Sequence, residues 1–380
     1  MSEDRGWHSA TGRAFGGPGK YIQRAGEIAR LADHLAPLGS RLFLLVDGFV
    51  LDAIGPAIRG PLEAAGLAVT VERFGGECCT EEIERIAALV KAAGAGVVVG
   101  IGGGKTADTA KTAAVANGAR IAIVPTIAST DAPCSAVAVR YSREGVYQES
   151  ISLPRNPDVV VVDSALIAKA PVRFLVAGIG DALSTWFEAR SNLESRSNNY
   201  IRPGLPAPEA GVAIARACHE VLMRDALAAK IACERGALTP AVEAIIEANT
   251  LLSGLGFENC GVSAAHGIHD GLTVLDETHG FFHGEKVAFG VLCLLMLEGR
   301  PLAEIEATAR FCRSVGLPTT LADLKLAQAT PADIERVAEA ALRPGSATWR
   351  VAVPLSVAIV RDAILALDAF TSGLDRAAKA

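Results

Sequence analysis

The sequence predicts an α/β N-terminal domain, Rossmann-like with a parallel sheet, followed by an all-α C-terminal domain. Three observations predict it. Short β-rich runs alternate with helical stretches from Arg41 to Asp163. A glycine-rich turn joins one of these runs to a helix start. Beyond Pro171, apolar residues recur at helical spacing almost to the C-terminus.

The elements follow in order. RLFLLVD (41–47) reads as a strand, and Ile54 to Ala65 as a helix closed by Gly66. LAVTVERF (67–74) is a second strand. CTEEIERIAALVKAAG is an amphipathic helix, with Thr80 placed as its N-cap and Glu81 to Glu84 favourable to the dipole. GVVVGIG (96–102) is apolar throughout, as a strand covered on both faces requires. IAIVPT (121–126) and DVVVVD (158–163) complete the strands. The connector at Ala170–Val172 divides the chain into domains 1–171 and 172–380, and SNNYIRPGLPAPEAG (197–211) reads as a loop inside the helical half.

Composition bounds the function. The 380 residues carry a formal net charge of -6 and no basic stripe, which argues against a nucleic-acid partner. The 8 cysteines form no C-x-x-C pair and read as reduced core residues. The polar start MSEDRGWHSATG has no signal-peptide character, and the run Val287–Leu297 is too short to span a bilayer. A cytoplasmic protein without membrane contact is the expectation.

VVVGIGGGKTADTAK (97–111) runs strand, turn, helix. Gly102, Gly103 and Gly104 admit close backbone approach, and the helix N-terminus behind them suits a pyrophosphate. Lys105 adds a point charge, and Thr106 or Asp108 can cap the helix. The bland alternative is a tight turn without a ligand. The Rossmann fingerprint fails at Lys105, and the P-loop pattern fails at Val99, although DVVVVDS can imitate a magnesium-binding strand end and keeps a nucleotide triphosphatase in play. Asp47 favours a dinucleotide: a carboxylate there binds ribose hydroxyls and repels a 2′-phosphate, preferring NAD over NADP. A turn-capping role for Asp47 stands beside that reading. PTIASTDAPCSA (125–136) follows the next strand, where ligands of parallel sheets bind. Thr126, Ser129, Thr130 and Ser135 are candidate hydrogen-bonding partners for the cofactor, and Asp131 for a substrate hydroxyl; an ordinary polar turn is the alternative.

Of 7 histidines, His266, His269, His279 and His283 fall in one short stretch. His266 and His269 share a helix face at i, i+3, and His283 opens the next long helix. Asp181, read in the first turn of a helix, is the candidate carboxylate. Two imidazoles and a carboxylate suit zinc, with an open position for catalysis. Taken singly, each histidine also reads as a satisfied core residue, and Asp181 as a helix cap.

At this point the residues resemble the bacterial glycerol dehydrogenases, the zinc branch of the iron-containing alcohol dehydrogenase superfamily. PGKYIQ, FGGEC, GIGGGKTADTAK, PTIASTDAPCS, NPDVVVVD, APVRF, GIGDALSTWFEAR, AAHGIH and HGEKVAFG all look like family segments in family order. The resemblance implies an active site in the interdomain cleft, with Asp181, His266 and His283 as ligands of one zinc ion that the substrate also meets. It implies NAD contacts at Asp47, Gly102 to Thr106, Thr126, Ser129, Ser135, Val137 and Tyr141. Asp131 matches a residue that contacts glycerol, and His269 matches no ligand, which leaves it a place behind the ligands or in the pocket lining. Iron-dependent relatives place a fourth ligand where Thr185 stands, which favours zinc. Asp270 after His269 departs from the branch. The implied activity is oxidation of glycerol, or a close vicinal diol, to the ketone by a homo-oligomer, an octamer by resemblance. Another polyol or a glycerol phosphate is the nearer alternative, and the triphosphatase the remote one.

Overall fold

The computed structural model describes residues 12–201 and 204–379. The N-terminal extension up to Thr11, and two residues of the 197–211 loop, lie outside the described residues.

One compact unit comprises Gly16–Leu175 with Ile231–Leu255. Its sheet has six strands: β1 (Tyr21–Gln23), β2 (Arg41–Val46), β3 (Ala68–Arg73), β4 (Val97–Gly102), β5 (Arg120–Pro125) and β8 (Val159–Val162). They lie in the order β1-β8-β5-β4-β2-β3, and every pairing is parallel. Leu42, Leu44 and Val46 alternate onto one face with Val97, Val99 and Ile101, forming a core under the helices α1 (Leu31–Leu35) and α2 (Gly48–Ala64). The chain steps outward from β2 to β3, then returns across β2 to β4. That reversal makes the carboxyl ends of β2 and β4 the topological switch point, where ligands of open sheets bind.

The predicted strands are all present. The helix read from Ile54 begins earlier, at Gly48, because the Asp47 carboxylate accepts from the N–H groups of Phe49 and Val50 and caps it. Helix α3 (Thr80–Ala93) has Cys79 rather than Thr80 at its cap, with no side-chain bond there. Helix α4 (Gly104–Ala116) is likewise not capped by Thr106 or Asp108: its N-cap is Gly103, again without a side-chain bond. A hairpin absent from the sequence reading, β6 (Val137–Tyr141) with β7 (Tyr147–Ser152), forms a separate antiparallel pair. Its turn passes through Gly145 at φ 85°, a left-handed conformation that glycine adopts without strain. Short helix α5 (Ser164–Ala168) follows β8.

The other unit contains Val176–Lys230 and the chain from Gly256 onward. Beyond Pro171 the described elements are helical: α6 (Val172–Ser195), α7 (Glu209–Cys233), α8 (Pro240–Glu247), a π-helical turn Ala248–Leu252, α9 (Ser253–Cys260), α10 (Ala264–Leu272), α11 (His283–Leu297), α12 (Leu302–Val315), α13 (Pro331–Ala341) and α14 (Val357–Lys379). The 8 cysteines are all buried and free, as expected. Among the described residues, no helix is long and apolar enough to cross a membrane.

Candidate active site

At the switch point, the N–H of Asp47 donates to the Ile101 carbonyl, and the turn after β4 passes directly beneath Asp47. A Cβ on Gly102 would meet Thr106 Oγ1 at 2.6 Å and Asp47 Cβ at 3.0 Å; one on Gly104 would meet Thr130 Oγ1 at 2.7 Å. Glycine is therefore required for the turn to lie this close to its neighbours. Gly100 serves packing instead, since a Cβ there would meet Ala110 Cβ at 2.7 Å. Helix α4 opens right after this turn with no capping side chain, so its first-turn N–H groups and dipole present a positive end. The Thr126 N–H donates to the Gly102 carbonyl, which sets the segment after β5 beside the turn.

The turn-capping reading of Asp47 is met, since its Oδ1 caps α2, and its Cβ stands close to Gly102. Lys105 pairs with Glu77 and lies 5.4 Å from the centre of the Tyr141 ring. Ser135 is wholly buried, and its hydroxyl contacts the backbone of Ala132 and Val137. Thr126, Ser129 and Asp131 are also buried, and Val137 starts the hairpin. Lys111, which the sequence reading passed over, lies under this segment without exposure. Its ammonium donates to the carbonyls of Ala132, Ser135 and Val137 and pairs with Asp108, whose second oxygen accepts from the Val139 N–H. Asp163, the last residue of DVVVVD, spends its carboxylate on the N–H groups of Gly26, Ile28, Ala165 and Leu166. That leaves the imitation of a magnesium-binding strand end without support.

In the helical unit, Asp181, His266 and His283 come together, each offering one ligand atom within 4.8 Å of the others. Asp181 Oδ1 lies 3.2 Å from His283 Nε2 and 3.6 Å from His266 Nε2. Asp181 is not in a first turn as read from the sequence: α6 begins at Val172, so the carboxylate projects from mid-helix rather than from a cap position. His266 lies in the first turn of α10, and His283 is the first residue of α11. The two glycines beside the ligands permit the approach. A Cβ on Gly284 would meet the Ala177 carbonyl at 1.8 Å, and one on Gly180 would meet the Gly284 carbonyl at 2.3 Å.

Each imidazole is held from behind. Glu188 is fully buried; its Oε1 accepts from the N–H groups of Ser263 (2.7 Å) and His266 (3.0 Å), and its Oε2 contacts His266 Nδ1 at 2.7 Å. His283 Nδ1 meets His269 Nε2 at 3.0 Å, His269 Nδ1 meets Asp270 Oδ1 at 3.0 Å, and Asp270 meets Arg343 at 3.3 Å. A carboxylate only accepts, so a neutral His266 carries its proton on Nδ1 and turns the Nε2 lone pair toward Asp181. The same logic along the second chain puts a proton on His269 Nδ1, leaves its Nε2 as acceptor, and gives His283 a proton on Nδ1 with its Nε2 lone pair facing the cluster. Both chains orient ligand atoms inward, as outer partners of metal-bound histidines do.

The electrostatics agree. Burial alone would raise the Asp181 carboxyl, but the imidazoles of His283 and His266 outweigh it and hold it well below the carboxylate range. Burial would depress His266, yet the Glu188 and Asp181 carboxylates prevail and raise it well above its ordinary value. His269 is pushed well down by burial and by neighbouring His283, which keeps it neutral. Burial pushes Asp270 up to about 7 despite Arg343. The buried Asp181 anion draws positive charge to its imidazole neighbours, as a proton on His266 or as a divalent cation in that proton's place, and one carboxylate with two imidazoles is a zinc-type set.

Glu188 went unnoticed in the sequence. A signal existed: it follows Asp181 by seven residues, two turns along the same face of one helix. Thr185, one turn after Asp181, is buried and packs so tightly that a Cβ on Gly256 would meet its Cγ2 at 2.3 Å.

Comparison with known proteins places this geometry in context. Residues 18–164 match the model of the iron-containing alcohol dehydrogenase family. A glycerol dehydrogenase of Pseudomonas putida is 47% identical over 94% of this chain and 97% of its own length. A glycolaldehyde reductase of Halobacterium salinarum is 41% identical over 93% and 96%. The crystal structure of a probable glycerol dehydrogenase from Sinorhizobium meliloti superposes with a TM-score of 0.92 at 68% identity, covering 95% of this chain and 99% of that one.

Proposed function

The chain belongs to the iron-containing alcohol dehydrogenase family and is an oxidoreductase; from that footing we propose that it oxidises glycerol to dihydroxyacetone, with NAD as acceptor and one zinc ion per chain. The observation that carries the reading is the Asp181–His266–His283 cluster, with both imidazoles turned inward by buried partners. The glycerol dehydrogenase relative supports the substrate.

The chemistry supplied when both groups are bound is Lewis acidity that eases loss of the alcohol proton, and a nicotinamide ring that takes up hydride. The chain's own residues do the rest. Asp181, His266 and His283 hold the ion, with Thr185 in place of a fourth imidazole. Glu188 fixes the tautomer of His266, and His269 that of His283. Gly102, Gly103 and Gly104, with the first turn of α4, receive the pyrophosphate, and Lys105 and Thr106 stand beside it. Asp47 meets the adenosine ribose and disfavours a 2′-phosphate. Thr126, Ser129, Ser135, Val137 and Tyr141 line the remainder of the cofactor's path. Asp131 orients a hydroxyl of the polyol.

Absorbance of NADH tests the reading across a panel of diols, with chelator and then with zinc restored. Glycerol-dependent reduction of NAD that the chelator abolishes and zinc restores is the expected result. Absence of turnover with every polyol refutes the reading. The glycolaldehyde reductase relative favours a second substrate class, short hydroxyaldehydes reduced by NADH, and the same panel run in reverse decides between them.

A further inference from the structure

Between α8 and α9 the backbone leaves α-helical geometry, and Ala248–Leu252 form a π-helical turn. Such turns are rare and recur at functional sites, because they project side chains that an unbroken α-helix would place elsewhere. Here two buried side chains from this stretch seize one loop. Asn249 Nδ2 donates to the carbonyls of Ala128 at 2.9 Å and Leu175 at 3.1 Å. Ser253, the first residue after the π-turn, donates its hydroxyl to Asp131 Oδ2 at 2.8 Å. Gly254 presses against the same loop: a Cβ there would meet the Asp131 carbonyl at 2.9 Å and Cys134 Cβ at 3.0 Å. Ala128 and Asp131 bracket Ser129 and Thr130, so the loop is gripped on both sides of its polar tip.

We propose that Ser253 is a positioning residue for substrate: through its bond to Asp131 it sets the rotation of that carboxylate, and hence the direction from which a polyol hydroxyl is received. This rests on the reading of Asp131 as the residue that orients substrate. The physical reason is that a carboxylate turns easily about its last torsion unless a partner fixes it. Ser253 and Asp131 are both buried, so the bond is charge-assisted and shielded from competing water. The π-turn supplies the register that brings the hydroxyl to the oxygen, and Asn249 keeps the loop from sliding.

The test uses the full-length, zinc-loaded enzyme and three variants: S253A, D131N and the double variant. A second substitution, S253C, keeps a weak donor in the same place. S253A should raise KM for glycerol by about tenfold, the loss expected for a hydrogen bond to a charged group, with S253C falling between it and wild type. The affinity for NADH, read by its fluorescence, should stay within about twofold, since neither side chain is assigned to the cofactor. In the D131N background, removing the Ser253 hydroxyl should add no further loss. A merely structural role would instead multiply the two effects and move NADH affinity as well. S253A or S253C that leaves KM at the wild-type value while D131N raises it overturns the proposal alone. D131N that leaves KM unchanged overturns the reading of Asp131 and this proposal with it.

Discussion

Replacing Glu188 by Gln changes one heavy atom and should weaken metal binding through a proton. In the wild type, Glu188 Oε1 accepts from the backbone N–H groups of Ser263 and His266, and Oε2 faces His266 Nδ1 at 2.7 Å. A glutamine keeps its carbonyl on the two N–H donors, since these need an acceptor. Its amide nitrogen then faces Nδ1, and two donors cannot meet. His266 resolves the conflict by carrying its proton on Nε2, the atom that faces Asp181, and a protonated nitrogen cannot ligate. Loss of an outer partner of a metal-bound histidine weakens affinity by about 10- to 100-fold, or roughly 1.4 to 2.8 kcal/mol. Competition with a chromophoric chelator measures zinc affinity directly, and a thermal melt without metal verifies the fold. Zinc bound as tightly by E188Q as by wild type would refute the tautomer argument.

Other consequences follow from single contacts. Gly284→Ala drives a methyl into the Ala177 carbonyl, so α6 and α11 must separate; urea unfolding should show a loss of about 1–3 kcal/mol, with weakened zinc binding. Lys111→Met leaves Asp108 as a buried carboxylate without its cation, and should cost about 3–5 kcal/mol by the same measurement. Glu27 gives a pH test in the sheet unit. Burial by itself would raise its carboxyl, but hydrogen bonds from Arg24 and His34 outweigh burial and hold it below its ordinary value. A depressed folded pKa means stability present above the unfolded value of about 4.3 and lost as pH falls through the folded one. The stability gap between wild type and E27Q should therefore shrink as pH drops below about 4; a constant gap contradicts the assignment.

Much of the architecture was legible because burial on both faces of a parallel sheet writes continuous apolar runs, as in Val97–Gly102 and Val159–Val162. The histidine stretch was legible because its members lie close in the chain as well as in space. What escaped has physical reasons. Strand β1 has only three residues, too few for a period, and owes its existence to pairing with β8. The start of α6 at Val172 was hidden because Asp181 has the chemistry of a cap, and only the long-range approach of His266 and His283 shows why a carboxylate sits mid-helix. The π-turn has no composition of its own: it is held by bonds to Ala128 and Asp131, more than a hundred residues away. Nothing in the sequence around Lys111 signals its burial, because the hairpin β6–β7 that covers it is distant in the chain.

One ion held by Asp181, His266 and His283 is proposed to make the chain a dehydrogenase. Metal-free protein is titrated with zinc while glycerol-dependent NADH formation is followed. Activity should rise linearly and stop at one ion per chain, with no rise in H283A at the same zinc concentrations. Full activity before zinc is added, or in H283A, would contradict it.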